Sequence, residues 1–393
     1  MIRGVLTLLT SEVAARALQA LAFVVLTRKV TVAEMGRFGF ATSLLAYLLL
    51  LLLPALDLVA VRRAARRELP LRATVGSIIR LRLVLAAVAV LLTGAYGLLK
   101  QDWLLPILSL TTVATALNAR WGLQAVEDTS RLGVASVLSQ AAFLAGVIAA
   151  PPGSLGWIAA AQVSGEACAA GWCALALRPH LRPLTALPVS PEARRDLLSE
   201  AWPLQASLLL GVMMYNFDVL MLGWFGRGAD IAFYLAAYRF VTVFSPLFAA
   251  VQTAVYPRLA RAFPDFAGVG KTLWRGTAAL GLGCACVAAL LTVFGNTALA
   301  LLYGDAYSGA HEILRLLVWV LPLQAVRTVL RQLALACQLH ASDPWRVLAA
   351  VFVNVAADFI LIPMHGALGA AWSTLAAEAT LLLLFALAVR RRV

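Results

Sequence analysis

Twelve apolar stretches, each close to the length of a membrane-crossing helix, divide this chain of 393 residues. About 20 consecutive apolar residues carry a helix across the hydrocarbon core, and inside lipid every backbone polar group must be satisfied within the segment itself. No soluble fold hides so many such segments in so short a chain. The composition agrees, at 62% hydrophobic and 13% charged. The fold class that follows is an all-α polytopic membrane protein of about twelve transmembrane helices. The predicted spans are 4–27, 38–56, 76–99, 103–121, 132–150, 154–177, 202–224, 231–255, 274–294, 312–338, 345–363 and 367–389.

The basic residues orient these spans. Of 32 Lys and Arg, 24 fall on one set of alternate gaps or in the ends of the spans beside them, from Arg3 through the cluster Arg62 to Arg82 to the terminal Arg390–Arg392. The opposite gaps hold only Arg28, Lys29, Arg37, Lys100 and Arg227. Positive charge stays on the cytoplasmic side, so both termini are expected there. A net charge of +13 could suggest nucleic acid, but it is spread over short loops against the membrane, where anionic lipid is the natural partner. Seven of the ten tryptophans, at 103, 121, 157, 202, 224, 274 and 345, lie near predicted span ends, as interfacial anchors do. Glu12 and Arg16 interrupt the first apolar run, which therefore reads as a helix rather than a cleaved leader. The five cysteines all fall inside predicted helices and imply neither a disulfide framework nor a metal site.

Sliding the chain against itself by half its length superposes Leu26, Phe38, Ala41 and Arg62 on Leu222, Tyr234, Ala237 and Arg258. Pro152-Gly-Ser-Leu-Gly156 and His365-Gly-Ala-Leu-Gly369 open the sixth and twelfth spans, and each span then carries an acid, Glu166 or Glu378. Six plus six is an even division, so the repeat is parallel, with its axis along the membrane normal. The expected lobes are residues 1–177 and 202–393, joined by a proline-rich cytoplasmic linker, 178–201. Ser190 before Pro191 reads as the cap of a short surface helix over 191–200.

The stretch Tyr215-Asn-Phe-Asp218-Val-Leu-Met-Leu-Gly223, with Gly228, Tyr234 and Ala237-Tyr-Arg239, resembles the seventh and eighth helices of bacterial polysaccharide flippases in the multidrug/oligosaccharidyl-lipid/polysaccharide exporter superfamily. Leu26-Thr-Arg-Lys-Val with Met35-Gly-Arg-Phe38, Leu302-Tyr-Gly304 with Tyr307 and Ala310, and Asn354 to Asp358 with Ile362-Pro363 and Gly366 to Ala371 resemble the same family in order. The resemblance implies two six-helix bundles around a cationic cavity, and movement of a polyprenyl-(pyro)phosphate-linked sugar between leaflets. The peptidoglycan-precursor branch carries two further helices that this chain lacks room for.

A charge near the bilayer centre is costly unless it faces water or a partner, which makes deep ionisable residues functional candidates. Arg16 and Arg239 are the deepest basic ones. Guanidinium groups can replace the water of a phosphate through two-point, charge-assisted contacts. Arg16 could instead pair with Glu12 one turn earlier. Arg239 belongs to the family pattern and has no acid three or four residues away. Arg327 and Arg331 share a face at the inner part of span ten, where they either line a cytoplasmic mouth or reach the headgroups. Asp218, Asp358, Glu166 and Glu378 are the deep acids. They are candidates for carrying a coupling proton or sodium ion, or for holding helices together by hydrogen bonds.

The function expected is a flippase for a polyprenyl-(pyro)phosphate-linked oligosaccharide in the bacterial cytoplasmic membrane. It would work by alternating access without covalent chemistry and need no cofactor beyond a coupling ion. Its partners are the lipid-linked sugar, membrane lipids and other polysaccharide-assembly proteins, not nucleic acid. A multidrug exporter of the same superfamily is the nearer alternative, and an integral membrane polymerase or ligase the more distant one. No nucleophile, metal or phosphate-loop motif stands out.

Overall fold

The computed structural model describes residues 2–66, 68–181, 190–263 and 270–390. Among these the regular structure is helical, with no strand. The first half comprises α1 (Ile2–Lys29), α2 (Val32–Leu51), α3 (Ala55–Ala65), α4 (Leu71–Lys100), α5 (Leu104–Leu117), α6 (Arg120–Ala125), α7 (Thr129–Ala149) and α8 (Leu155–Leu177). The second comprises α9 (Pro191–Trp224), α10 (Gly228–Thr242), α11 (Ser245–Ala262), α12 (Gly270–Tyr303), α13 (His311–Leu317), α14 (Val320–Ala336), α15 (Asp343–His365) and α16 (Ala367–Arg390). Every predicted span finds its helix. Ten helical segments among the described residues are long and apolar enough to cross a membrane on length and composition alone. The two spans outside that set have local reasons: α5 is only 14 residues long, and α8 carries Gln162, Ser164 and Glu166 in its middle.

The second and fourth spans of each half are broken: α2 gives way to α3, α5 to α6, α10 to α11 and α13 to α14. Pro246 lies in the first turn of α11, and Pro322 in that of α14. A ring without an N–H, set against the carbonyl four residues back, is expected to interrupt a helix there. The spans break fully at these two prolines, whereas Pro106 lies in the opening turn of α5. The break after α2 puts Leu53 at φ 52. Arg82 of α4 secures it by donating to the carbonyls of Leu52 (2.8 Å) and Leu53 (3.3 Å) and meeting Asp57 at 2.8 Å. Burial pushes the Asp57 carboxyl up from its ordinary value, while the Arg82 charge and hydrogen bond pull it back.

The paired glycine turns are a second echo of the repeat. Gly153 (φ 74) and Gly366 (φ 59) stand at matching places between α7 and α8 and between α15 and α16. Both need the left-handed backbone that glycine adopts without a Cβ penalty.

The chain divides into two compact units, residues 1–34 with 41–209, and 35–40 with 210–393. In the first, α7 packs on α1 and α8, α5 on α4 and α8, and α3 on α6. A core of Ala60, Ile78, Leu123, Leu132, Ala169 and Cys173 lies among them. In the second, α16 packs on α15 and α14, and α14 on α11 and α12, around Leu259, Leu333, Leu381 and Phe385.

Two expectations need correction. The helix expected over 191–200 is not a separate surface element. Ser190 does cap it, its hydroxyl accepting from the Ala193 N–H at 3.2 Å, but the helix then runs unbroken to Trp224. Its first turns are held to the first unit, where Leu197 and Ala201 pack on Ala55, Leu56 and Val59 and Glu200 pairs with Arg62 and Arg63. Pro183, Pro188 and Arg182 of the linker lie outside the described residues. Trp121, expected at the interface, is 2% exposed in the core of the first unit. The short α6 turns it inward, while Trp103, Trp157, Trp202, Trp224, Trp274 and Trp345 are exposed as anchors should be.

Candidate functional site

The first unit contains a polar cavity of ≈ 250 Å³. Glu12, Arg16 and Gln19 reach it from α1, where spacings of four and three residues bring them to one face. Ser136, Ser139 and Gln140 do the same from α7, Glu166 enters from α8, and Arg120 stands at the start of α6. None of the lining residues is aromatic. Gly165 permits this closeness, since a Cβ there would meet the Ser139 carbonyl oxygen at 2.6 Å. The neighbouring Glu166 can then accept from the Ser139 hydroxyl at 3.1 Å.

Glu12 does not pair with Arg16. Its Oε1 accepts from the Ser136 hydroxyl at 2.8 Å and lies 3.9 Å from Arg120, which itself bonds Ser136. Among the described residues Arg16 makes no hydrogen bond or ion pair, nor do the amides of Gln19 and Gln140. The cavity therefore holds one guanidinium tied to an acid and one with all five donors available.

The second unit gathers its deep acids into two buried groups. Asp218 of α9 is 1% exposed. It accepts from the Tyr234 hydroxyl, from Thr374 Oγ1 at 2.9 Å and from Asn354 Nδ2 at 3.2 Å. Asp358, fully buried one turn beyond Asn354, accepts from Ser373 and lies within hydrogen-bonding reach of Asp218. Asn354 Oδ1 and Asp358 Oδ2 are buried acceptors without a hydrogen-bond partner, and no basic side chain among the described residues pairs with either aspartate. The result is a compact set of oxygen atoms, two of them unsatisfied and two of the groups acidic.

The other group centres on Glu378, also fully buried, which meets Arg327 at 2.7 Å and accepts from Gln324 Nε2 at 2.8 Å. Tyr215 stands beside the same Arg327. Arg331 makes a two-point contact with Asp343, at 2.7 and 3.1 Å. Both inner arginines of span ten thus have acids of their own. Arg239 stands elsewhere in the unit, partly exposed beside Tyr303, whose ring packs edge-on against Phe240. Of the predicted residues, the structure brings Glu12, Arg16 and Glu166 together, Asp218 with Asp358, and Arg327 with Glu378. It joins Arg239 to none of these groups.

Several residues of these groups escaped the sequence reading. Arg120 reads from the sequence only as one more basic residue at the inner end of the fourth span. Gln19, Ser136, Ser139 and Gln140 carry no charge and attract no attention until α1 and α7 are seen to face each other. Asn354 could have been found, for it stands one helical turn before Asp358 in a stretch already noted.

This is the fold of a polytopic transporter of two six-helix lobes. The chain belongs to the polysaccharide biosynthesis protein family, which its residues 1–263 match, and so to the multidrug/oligosaccharidyl-lipid/polysaccharide exporter superfamily that the sequence motifs implied. It is similar in structure to the lipid II flippase MurJ in an inward closed conformation, with TM-score 0.76 and 14% identity over 99% of this chain and 88% of that one. It resembles as well an inward-facing multidrug resistance transporter of the same superfamily, with TM-score 0.76 and 14% identity over 95% and 94% of the two chains. A superfamily transporter from Pyrococcus furiosus, described as having a binding pocket of reverse polarity, aligns at TM-score 0.63 and 14% identity over 99% of this chain and 94% of that one. No curated protein matches.

Proposed function

We propose that the chain is a flippase that carries a polyprenyl-(pyro)phosphate-linked oligosaccharide across the bacterial cytoplasmic membrane for cell-surface polysaccharide synthesis. It works by alternating access between its lobes, with both termini cytoplasmic, and makes or breaks no covalent bond. The observation that carries this reading is the free Arg16 guanidinium in a polar cavity without an aromatic side chain. A phosphate leaving water needs planar, charged donors. An organic cation needs apolar and aromatic walls with an acid. This lining suits the first and offers little to the second, which favours the flippase over the multidrug exporter.

Asp218, Asp358, Asn354 and Thr374 form the coupling site in this reading. Two carboxyls in contact, with two buried acceptors unsatisfied, fit a proton or a sodium ion, which takes oxygen ligands. The bound cation neutralises a charge that the membrane otherwise penalises.

The test is translocation of a fluorescent undecaprenyl-pyrophosphoryl oligosaccharide in proteoliposomes. Loss of charge-assisted hydrogen bonds predicts that Arg16→Ala slows flipping about tenfold or more, with Arg16→Lys between it and the wild type. Ethidium efflux by the wild type, together with lipid flipping unchanged in Arg16→Ala, would move the assignment to the drug-exporter side of the superfamily.

A further inference from the structure

We propose that the cavity of the first unit seats the first sugar ring of the carrier lipid, so that it recognises the glycan next to the phosphate and not the phosphate alone. This rests on the flippase reading and adds to it a specificity element that Arg16 alone does not provide. Beyond Arg16, the cavity presents four groups suited to sugar hydroxyls: the amides of Gln19 and Gln140, and the carboxylates of Glu12 and Glu166. Planar amides and carboxylates both match neighbouring hydroxyls, the amide giving and accepting at once and the carboxylate accepting two donors. Both amides lack a partner among the described residues, and Glu166 has only the Ser139 hydroxyl. The cavity, at ≈ 250 Å³, lies just under the range of about 300–1,000 Å³ that drug-sized ligands occupy. It admits a single ring. Arg120 is committed to Glu12 and Ser136, which leaves Arg16 for the phosphate at the edge of the ring.

Geometry also restricts which sugar enters. The cavity floor is fixed by the approach of α8 to α7 at Gly165, where the Ser139 carbonyl leaves no space for a Cβ. Glu166 is therefore held at a set depth, and a ring whose hydroxyls do not reach it leaves the carboxylate with the Ser139 hydroxyl as its one donor. Rejection of the wrong ring by a polar group left short of donors is a stronger form of selectivity than the loss of an apolar contact.

The experiment uses the full chain in lipid nanodiscs and two probes, undecaprenyl pyrophosphate and undecaprenyl-pyrophosphoryl-N-acetylglucosamine. The expected result is tighter binding of the sugar-bearing probe by the wild type, on the order of tenfold for two to three added hydrogen bonds. Gln140→Ala and Glu166→Gln remove most of that difference, and their affinity for the sugar-free probe stays near that of the wild type. Arg16→Ala weakens both probes together. Equal affinity of the wild type for the two probes overturns the sugar seat and leaves the flippase reading standing, and that comparison needs no variant to fold. Equal weakening of both probes by Gln140→Ala overturns it too. Failure of the wild type to bind either probe removes the flippase reading itself.

Discussion

Ser136 holds Glu12 away from Arg16: its hydroxyl donates to the Glu12 Oε1 at 2.8 Å, and Arg120 closes on the same pair. An acid four residues before an arginine on one helix ordinarily pairs with it. Here a neighbouring helix supplies a better partner, and the displaced arginine is free to meet an anion. Ser136→Ala should return Glu12 to Arg16 and lower flipping in proteoliposomes about threefold to tenfold, the worth of one lost hydrogen bond and one newly occupied guanidinium. Ser136→Thr keeps the hydroxyl and should stay close to wild type. A wild-type rate in Ser136→Ala would mean that Arg16 does not depend on this contact.

Arg82 bears on stability rather than transport. It satisfies two carbonyls at the α2–α3 break and lies 4% exposed against Asp57. Removing one partner of a mostly buried pair costs about 3 kcal/mol, so Arg82→Ala should lower the melting temperature of the purified protein markedly, and Arg82→Lys less. Asp57 fixes the sign of the pH effect. Burial already raises its pKa above the unfolded value, so its ionisation costs stability as pH rises from the unfolded to the folded pKa, and protonation below that window relieves the cost. Without Arg82 the folded value rises further. The Arg82→Ala deficit should therefore narrow as pH falls, and a deficit constant from neutral to mildly acid pH would exclude Asp57 as its cause.

Gly369 tests the packing of α15 on α16. A Cβ there would lie 2.2 Å from the Leu361 carbonyl oxygen, and backbone cannot move aside as a side chain can. Gly369→Ala should destabilise by about 1–3 kcal/mol, the usual cost of overpacking. Gly76→Ala is the control, since nothing lies within 4 Å of its added carbon. Equal melting temperatures for the two variants would show that α15 and α16 separate without penalty.

The sequence disclosed these elements unequally, for physical reasons. Span positions came from hydropathy, which the membrane enforces on every crossing segment, so α4, α7 and α16 fall close to expectation. Breaks were less legible. Pro246 and Pro322 stand at two of them, where a missing N–H favours a break, but the α2–α3 break depends on Arg82 and Gln205 reaching freed backbone groups from α4 and α9, and such contacts exist only after folding. The same limit governs the cavity. Depth singled out Arg16 and Glu166, and spacing singled out Glu12, while the neutral residues around them became visible only through the packing of α1, α7 and α8. Arg327 and Glu378 each drew notice as a deep charge, yet no spacing rule links residues 51 positions apart.

The last prediction concerns the cation that Asp218 and Asp358 would hold. A ligand that binds the folded protein alone stabilises it in proportion to the logarithm of its concentration above Kd. If sodium is that ligand, replacing choline chloride with sodium chloride at constant ionic strength should raise the melting temperature of the wild type, by about 2.7 kcal/mol of stability at a hundred times Kd. If it is a proton, the melting temperature should respond to pH and not to sodium. Asp218→Asn removes one acidic oxygen while keeping the shape, so the response should disappear in that variant and gradient-driven flipping should fall. Arg16→Ala, a change in the other unit, should retain the full response. The two measurements separate coupling from substrate recognition: a sodium or pH response undiminished in Asp218→Asn would release the aspartate pair from the coupling role and leave it as a buried hydrogen-bond network joining α9, α15 and α16.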